Sequence, residues 1–258
     1  MGPASSLRDS DFERGPLPVA HGFSPRRGGV SRPPFDELNL GASVGDDPAA
    51  VRENRRRVAA AFGVGLARVA RLDQVHGAAV HRAGPDLGGR EGDALVTDDP
   101  AWLLAVSAAD CLPIVLFDRR LGAVAAVHAG WRGVVAGVAP AAVEALRRHF
   151  GCDPADLSAW LGPCIQGTCY QVGPEVVAAV TADPRVPSSA AWPDPGTPDR
   201  WRLDVPRAVR GQLRAAGVAA PSIAASTTCT HCAVDRCYSH RRDGGRSGRH
   251  WAVVRAPG

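Results

Sequence analysis

Apolar and polar positions along this chain follow two periods, and the chain switches between them many times. Alternation marks Val69 to Val75 as a strand, and short apolar runs mark Leu103–Ser107, Ile114–Phe117 and Ala123–Val127 as three more. Asp118-Arg119-Arg120-Leu121-Gly122 reads as the turn between the last two. Ala159–Leu161, Ile223–Ser226 and Trp251–Val254 complete the predicted strands. A helix is predicted over 48–62: Asp47 caps it, Pro48 sits in its first turn, Val51, Val58 and Phe62 share a face, and Gly63 ends it. Val134 to Phe150 has helical composition with Pro140 inside, which predicts a kink or a break. Pro174 opens another helix to about Thr181, and Asp204 caps one that runs to Ala216 and stops at Gly217. Residues 182–200, rich in Pro, Asp, Ser and Gly, read as a surface loop, and residues 1–18 as a flexible leader. Helices and strands are interleaved without a repeat or a linker, which predicts one α/β domain over residues 19–258.

Composition narrows the function classes. The chain has 258 residues, 45% of them hydrophobic, enough to build a large core. It is mildly basic, at +4, and every basic residue is Arg. No long run of like charge occurs and only 5% of residues are aromatic, which argues against a nucleic-acid partner. No apolar stretch reaches the roughly 18 residues that span a bilayer, so no membrane partner is expected. The polar N-terminus lacks the apolar core of a signal peptide; Met1-Gly2 with Ser6 matches a myristoylation start only loosely. Seven cysteines, an odd count with no disulfide framework, fit a cytoplasmic protein whose thiols are ligands, nucleophiles or small buried groups.

Three segments carry candidate chemistry. In Ala125-Ala126-Val127-His128-Ala129-Gly130-Trp131-Arg132-Gly133 an apolar strand delivers a histidine into a glycine-bracketed turn. Ala109-Asp110-Cys111-Leu112-Pro113-Ile114 places an Asp-Cys pair at a strand end, and Gln74-Val75-His76-Gly77 adds a second histidine. His76, Cys111 and His128 are the ligand inventory of a zinc ion with one position open, provided three strand ends meet. Zinc there holds Cys111 as a thiolate and acidifies a bound water. Against this, a cysteine beside an apolar strand is most often a small core residue. Arg132, just before a helix, suits an anion such as phosphate, or is a plain surface arginine. Trp131 faces a planar ligand or fills the core. Asp110 is a candidate acid or base, or a residue that positions Cys111. Cys229, Cys232, Cys237 and His240 lie within a dozen residues and look like a compact second metal knuckle, a reading the sequence alone leaves open. A nucleobase-deaminase signature, a P-loop, a dinucleotide fingerprint, a nucleophile elbow and the H-x-H pairs of multicopper oxidases are all absent.

An ordered series of blocks resembles a known family, variously called polyphenol oxidase (laccase domain), purine nucleoside phosphorylase and peptidoglycan-editing factor. The blocks are His21-Gly22-Phe23-Ser24, Asn39-Leu40-Gly41, Gln74-Val75-His76-Gly77, Asp93-Ala94-Leu95-Val96-Thr97, Ala109 to Ile114, His128 to Gly133, Leu161-Gly162-Pro163-Cys164-Ile165 and Tyr238-Ser239-His240-Arg241-Arg242. The resemblance implies packed mixed β-sheets flanked by helices, and zinc on His76, Cys111 and His128, with copper as the alternative ion. It implies phosphorolysis of adenosine, inosine and methylthioadenosine, and hydrolytic deamination of adenosine. The partners are then a nucleoside and phosphate. Arg132 and next Arg242 are the candidates to hold phosphate, Asp110 to act at the reacting centre, and Asn39 and Gln74 to contact ribose or base. Two other activities stay open: hydrolysis of an amide in a cell-wall precursor, with Cys111 as nucleophile and His128 as base, and copper-dependent phenol oxidation. The chain departs from the family at Cys237, where an aromatic is common, at Gln171, where Glu is frequent, and at Pro140.

Overall fold

Alternate residues of one strand face different layers. Leu103 and Ala105 turn to one side, where they meet Val58 and Phe62; Leu104, Val106 and Ala108 turn to the other, where they meet Leu95, Phe117 and Ala126. The computed structural model describes residues 7–258. In chain order the elements are β1 (His21–Phe23), α1 (Pro48–Ala61), β2 (Val69–Ala70), β3 (Val80–Arg82), β4 (Ala94–Thr97), β5 (Leu103–Ala108), β6 (Leu112–Asp118), β7 (Val124–Ala129), α2 (Trp131–Ala136) and α3 (Val138–Phe150). They continue with β8 (Leu157–Leu161), β9 (Gln171–Val172), α4 (Pro174–Thr181), β10 (Ala191–Pro193), β11 (Trp201–Leu203), α5 (Val205–Ala215), β12 (Ile223–Ala225) and β13 (His250–Arg255).

A six-stranded mixed sheet has the order β12-β8-β6-β7-β4-β3, and a four-stranded sheet the order β1-β13-β5-β2. Leu112, Ile114 and Leu116 of β6 pack beneath Val138, Val143 and Leu146 of α3 and Val209 and Leu213 of α5, while Val115 and Phe117 face the second sheet. The molecule is thus layered as helices, six-stranded sheet, four-stranded sheet and α1, a single α/β domain of the predicted class. No helix among the described residues is long and apolar enough to cross a membrane.

Several boundaries differ from expectation. The strand at Val69 keeps only two residues, because from Leu72 the chain leaves the sheet and bridges Asp73 to Glu91 instead. The break predicted near Pro140 falls at Gly137, whose φ of +77° ends α2 and starts α3. Pro140 lies in the first turn of α3, where its missing N–H costs no helical bond. The surface loop expected over 182–200 contains β10, which joins β11 and β9 in a small antiparallel sheet. Part of the leader expected over 1–18 is instead built into the fold: Phe12 and Leu17 are buried, and Glu13 bridges to Phe23. The rest of it, residues 1–6 with the myristoylation-like start, lies outside the described residues.

Candidate metal centre and active site

The chain passes from the four-stranded to the six-stranded sheet between β5 and β6, and the functional groups gather at that crossing. β6 pairs with β7 so that Leu112 lies opposite Ala129 and Pro113 opposite His128, which brings Cys111 alongside Gly130. His128 shares its face of β7 with Val124 and Ala126, so it points between the sheets. Ala94 of β4 pairs with Val127 of β7, which puts Asp93 beside His128.

Asp93 organises this centre. Its buried carboxylate accepts hydrogen bonds from the N–H groups of Val75 (3.2 Å), His76 (3.0 Å) and Gly77 (2.7 Å), and pairs with His128 Nδ1 at 2.8 Å. The first three bonds hold the 74–77 loop in a sharp turn with His76 at φ +61°. The fourth fixes Nδ1–H of His128 on the carboxylate and leaves Nε2 for an ion. In the sequence Asp93 stands out only as the first residue of the Asp93 to Thr97 block, and its partnership with His128 emerges only from the pairing of β4 with β7.

One ligand atom each of His76, Cys111 and His128 lies within 4.8 Å of the others. His76 Nε2 is 3.9 Å from Cys111 Sγ, and the two imidazoles meet edge to face with centroids 4.9 Å apart. A Cβ on Gly130 would stand 2.9 Å from His76 Cδ2 and 3.1 Å from Cys111 Sγ, so the close approach requires glycine there. Burial opposes ionisation of Cys111, yet the neighbouring His128 and His76 outweigh it and bring the thiol down to about 6. Burial also opposes the charge on His128, but Cys111 and Asp93 raise it to about 9. Two imidazoles and an easily ionised thiol are a donor set that fits zinc with an open position.

A cavity of about 120 Å³ adjoins Cys111. Trp131, Tyr170, Ile165, His240 and Arg241 are among the residues that line it. The Arg132 guanidinium stacks on the Trp131 ring at 4.4 Å, and that of Arg241 lies over Tyr170 at 5.1 Å. Arg132 is exposed and follows Trp131, which lines this cavity.

The remaining candidates stand elsewhere or do other work. Asp110, at φ +91°, accepts hydrogen bonds from Thr230 Oγ1 (2.7 Å), Ser239 Oγ (3.0 Å) and the Arg241 N–H (2.7 Å). Its carboxylate is therefore committed to joining three segments rather than to proton transfer. Arg242 is spent on the carbonyls of Thr230, His231 and Cys237 and on Asp243. Asn39 is fully buried and bonds Gly41, Asp46 and the Arg249 N–H. The Gln74 side chain exchanges two hydrogen bonds with Ser107 of β5. Arg242, Asn39 and Gln74 thus spend their polar groups within the fold, and none of them is among the residues that line the cavity. Gln171 donates to Asp194, which also pairs with Arg202; a Glu there would set two carboxylates together. The four-residue knuckle does not form: Cys237 is buried in the inter-sheet core and His240 lines the cavity, while Cys169 joins Cys229 and Cys232.

Comparison with known proteins agrees with this architecture. Residues 20–256 match the family described as multi-copper polyphenol oxidoreductase laccase. A purine nucleoside phosphorylase of Streptomyces coelicolor is 45% identical over 226 residues, covering 86% of this chain and 89% of that protein. A purine nucleoside phosphorylase of Deinococcus radiodurans is 42% identical over 242 residues, covering 93% and 90%. Among solved structures, YlmD from Geobacillus stearothermophilus superposes with a TM-score of 0.87 at 34% identity, covering 96% of this chain and 99% of that one. The match spans all three sheets, α1 to α5 and the segments of His76, Cys111 and His128, and on that ground the chain belongs to the family described as multi-copper polyphenol oxidoreductase laccase.

Proposed function

We propose that this protein is a cytoplasmic, zinc-dependent purine nucleoside phosphorylase that takes adenosine, inosine and methylthioadenosine, and that deaminates adenosine at the same site. The observation that carries the reading is the His76–Cys111–His128 cluster beside a cavity walled by Trp131, Tyr170 and Arg241. The names of the relatives from Streptomyces coelicolor and Deinococcus radiodurans support it. Seven free thiols support a reducing setting.

In phosphorolysis a phosphate oxygen forms a bond to ribose C1′ while the bond from C1′ to the purine breaks. The electron pair leaves with the purine, which takes up a proton. His76, Cys111 and His128 hold the zinc ion, which supplies Lewis-acid chemistry when bound. The cavity, at about 120 Å³, is smaller than one that engulfs a whole ligand, so it receives one ring system and leaves the rest at the rim. Trp131 and Tyr170 offer flat walls to that ring. Arg132 holds phosphate at the rim, with Arg241 next to it. Fixing both reactants in one place lowers the barrier by about 7–11 kcal/mol in favourable cases. Asp110 keeps Cys111 and the Arg241 segment in register.

Phosphate-dependent conversion of inosine by the zinc-loaded protein tests the reading. Cys111→Ala loses zinc and activity together, and Arg132→Ala raises KM for phosphate about tenfold or more, the cost of one charge-assisted contact. Full activity in metal-free Cys111→Ala overturns the scheme.

Cys111, His128 and Asp93 also follow the order nucleophile, base and orienting acid, which favours amide hydrolysis as a second reading. His76 on the same sulfur has no part in such a triad and has one in an ion site. Alkylation separates the two: a thiolate on zinc resists iodoacetamide until a chelator is added, and a free nucleophile reacts at once.

A further inference from the structure

Three other thiols meet beside the segment that carries Tyr170, a lining residue of the cavity. Cys169 Sγ lies 3.3 Å from Cys232 Sγ, and the sulfurs of Cys169, Cys229 and Cys232 all fall within 4.8 Å of one another. Three sulfurs bound to one tetrahedral zinc ion at about 2.3 Å stand about 3.8 Å apart, between the 3.3 Å of that pair and the 4.8 Å bound on all three. We propose that Cys169, Cys229 and Cys232 form a second metal site, a tristhiolate centre for zinc that clamps the cavity wall.

The backbone builds this site from two segments. In the Cys229-Thr230-His231-Cys232 turn, the N–H groups of Cys232 and Ala233 both donate to the Cys229 carbonyl, at 3.2 and 2.9 Å, and the turn brings both sulfurs to one side. The Cys169 N–H donates to the Gln166 carbonyl at 2.8 Å, and that turn presents the third sulfur. A parallel bridge between Cys164 and Cys229, with the Thr230 N–H on the Cys164 carbonyl at 3.0 Å, stitches the two segments together. Independently, the Gln166 N–H points at Cys229 Sγ at 3.4 Å, an N–H aimed at sulfur that favours its thiolate form. Cys232 is exposed, so an ion reaches the cluster from solvent. Soft sulfur donors select zinc over hard cations, and a pair of thiols would suffice for a disulfide, whereas a third within reach makes a three-donor ion site whose fourth position a solvent water would take at the exposed Cys232.

The consequence for the first centre follows from chain neighbours. Cys169 precedes Tyr170, which lines the cavity, and Cys229 precedes Thr230, whose hydroxyl holds Asp110. An ion on the three sulfurs fixes both neighbours, so its loss loosens the wall without removing a group from the reaction. The centre is read out separately from the proposed phosphorolysis, because it persists when Cys111 is replaced.

Zinc uptake by the reduced, metal-free full chain tests it, with Co²⁺ as a spectroscopic substitute. Wild type is expected to bind two zinc equivalents, Cys111→Ser one and Cys232→Ser one. Cys237→Ala, which the predicted knuckle would have crippled, still binds two. Sulfur-to-cobalt charge transfer is about three times stronger in Cys111→Ser than in Cys232→Ser, in proportion to three thiolates against one. Cys169→Ser repeats the Cys232→Ser result if that variant folds poorly. A single zinc equivalent in wild type that disappears in Cys111→Ser overturns the proposal. So does a Cys169–Cys232 disulfide in the isolated protein whose reduced form takes up no second equivalent.

Discussion

Asp93 decides more than any other single residue, because four donors converge on its two oxygens. Asn in its place offers one acceptor and turns an NH₂ toward groups that are themselves donors. Asp93→Asn is therefore expected to weaken zinc binding about 10–100-fold, the usual cost of removing the partner of a ligating histidine. Competition with a chromophoric chelator measures this, and unchanged affinity would reduce Asp93 to a packing role. The cluster itself was legible in sequence, because His76, Cys111 and His128 each carry a recognisable donor atom at a predicted strand end, and the structure brings those atoms within 4.8 Å of one another. Asp93 was not, since a carboxylate before an apolar run has no spacing that names its partner until β4 and β7 pair. Cys169 was missed for the same reason: a CxxC turn announces itself locally, but the third thiol arrives from 60 residues upstream, as the separation of 63 from Cys232 shows. Asn39, Gln74 and Arg242 illustrate the converse. They lie in blocks close to the site, and only their hydrogen bonds reveal that their polar groups are already used.

At the level of elements, local chemistry was most readable where a helix has a cap. Asp47, Asp153 and Asp204 each accept an N–H of the turn they open, and α1 and α5 begin where those aspartates predict. It was least readable in two-residue and three-residue strands such as β2, β9 and β10, whose pairing is decided by distant neighbours. The α2–α3 junction shows how two helix breakers divide the work. Gly137 adopts φ +77° and its N–H closes α2, whereas Pro140 sits three residues inside α3 where no intrahelical donor is lost. A Cβ on Gly137 meets nothing closer than 3.5 Å, so the cost of Gly137→Ala is conformational alone. That variant is expected to lose about 1–2 kcal/mol, the penalty of a left-handed L-residue. Pro140→Ala should change stability by less than about 1 kcal/mol. Urea denaturation of both variants checks the order. A larger loss in Pro140→Ala would mean that the proline, not the glycine, ends α2 and orients Trp131 at its first turn.

Across the whole molecule, one buried imidazole ties the sheet to the loop that closes the site. His250 opens β13, donates from Nδ1 to the Ser24 carbonyl at 2.8 Å, and accepts the Tyr238 N–H on Nε2 at 2.7 Å. A backbone N–H is only a donor, so Nε2 must be bare and the ring neutral. Burial pushes its pKa down to about 3 against an ordinary value of 6.5. Between those values the unfolded chain binds a proton that the folded chain refuses. The stability due to this group is therefore complete above about pH 6.5 and falls as acid is added, with a slope approaching 1.4 kcal/mol per pH unit, roughly one proton, until about pH 3. Protonation sets two donors face to face at Tyr238, and the next residue, Ser239, holds Asp110. Acid should therefore loosen the cavity wall as well as the sheet. His21, also buried and lowered by burial, ties Gly15 to the same sheet edge and adds in the same direction. Urea midpoints followed from pH 7.5 to pH 4 should show this slope in the wild type. His250→Gln is expected to be less stable at pH 7.5 but flatter by close to one proton over the interval. An equally steep slope in that variant would move the acid response away from His250 and onto the carboxylates at the surface.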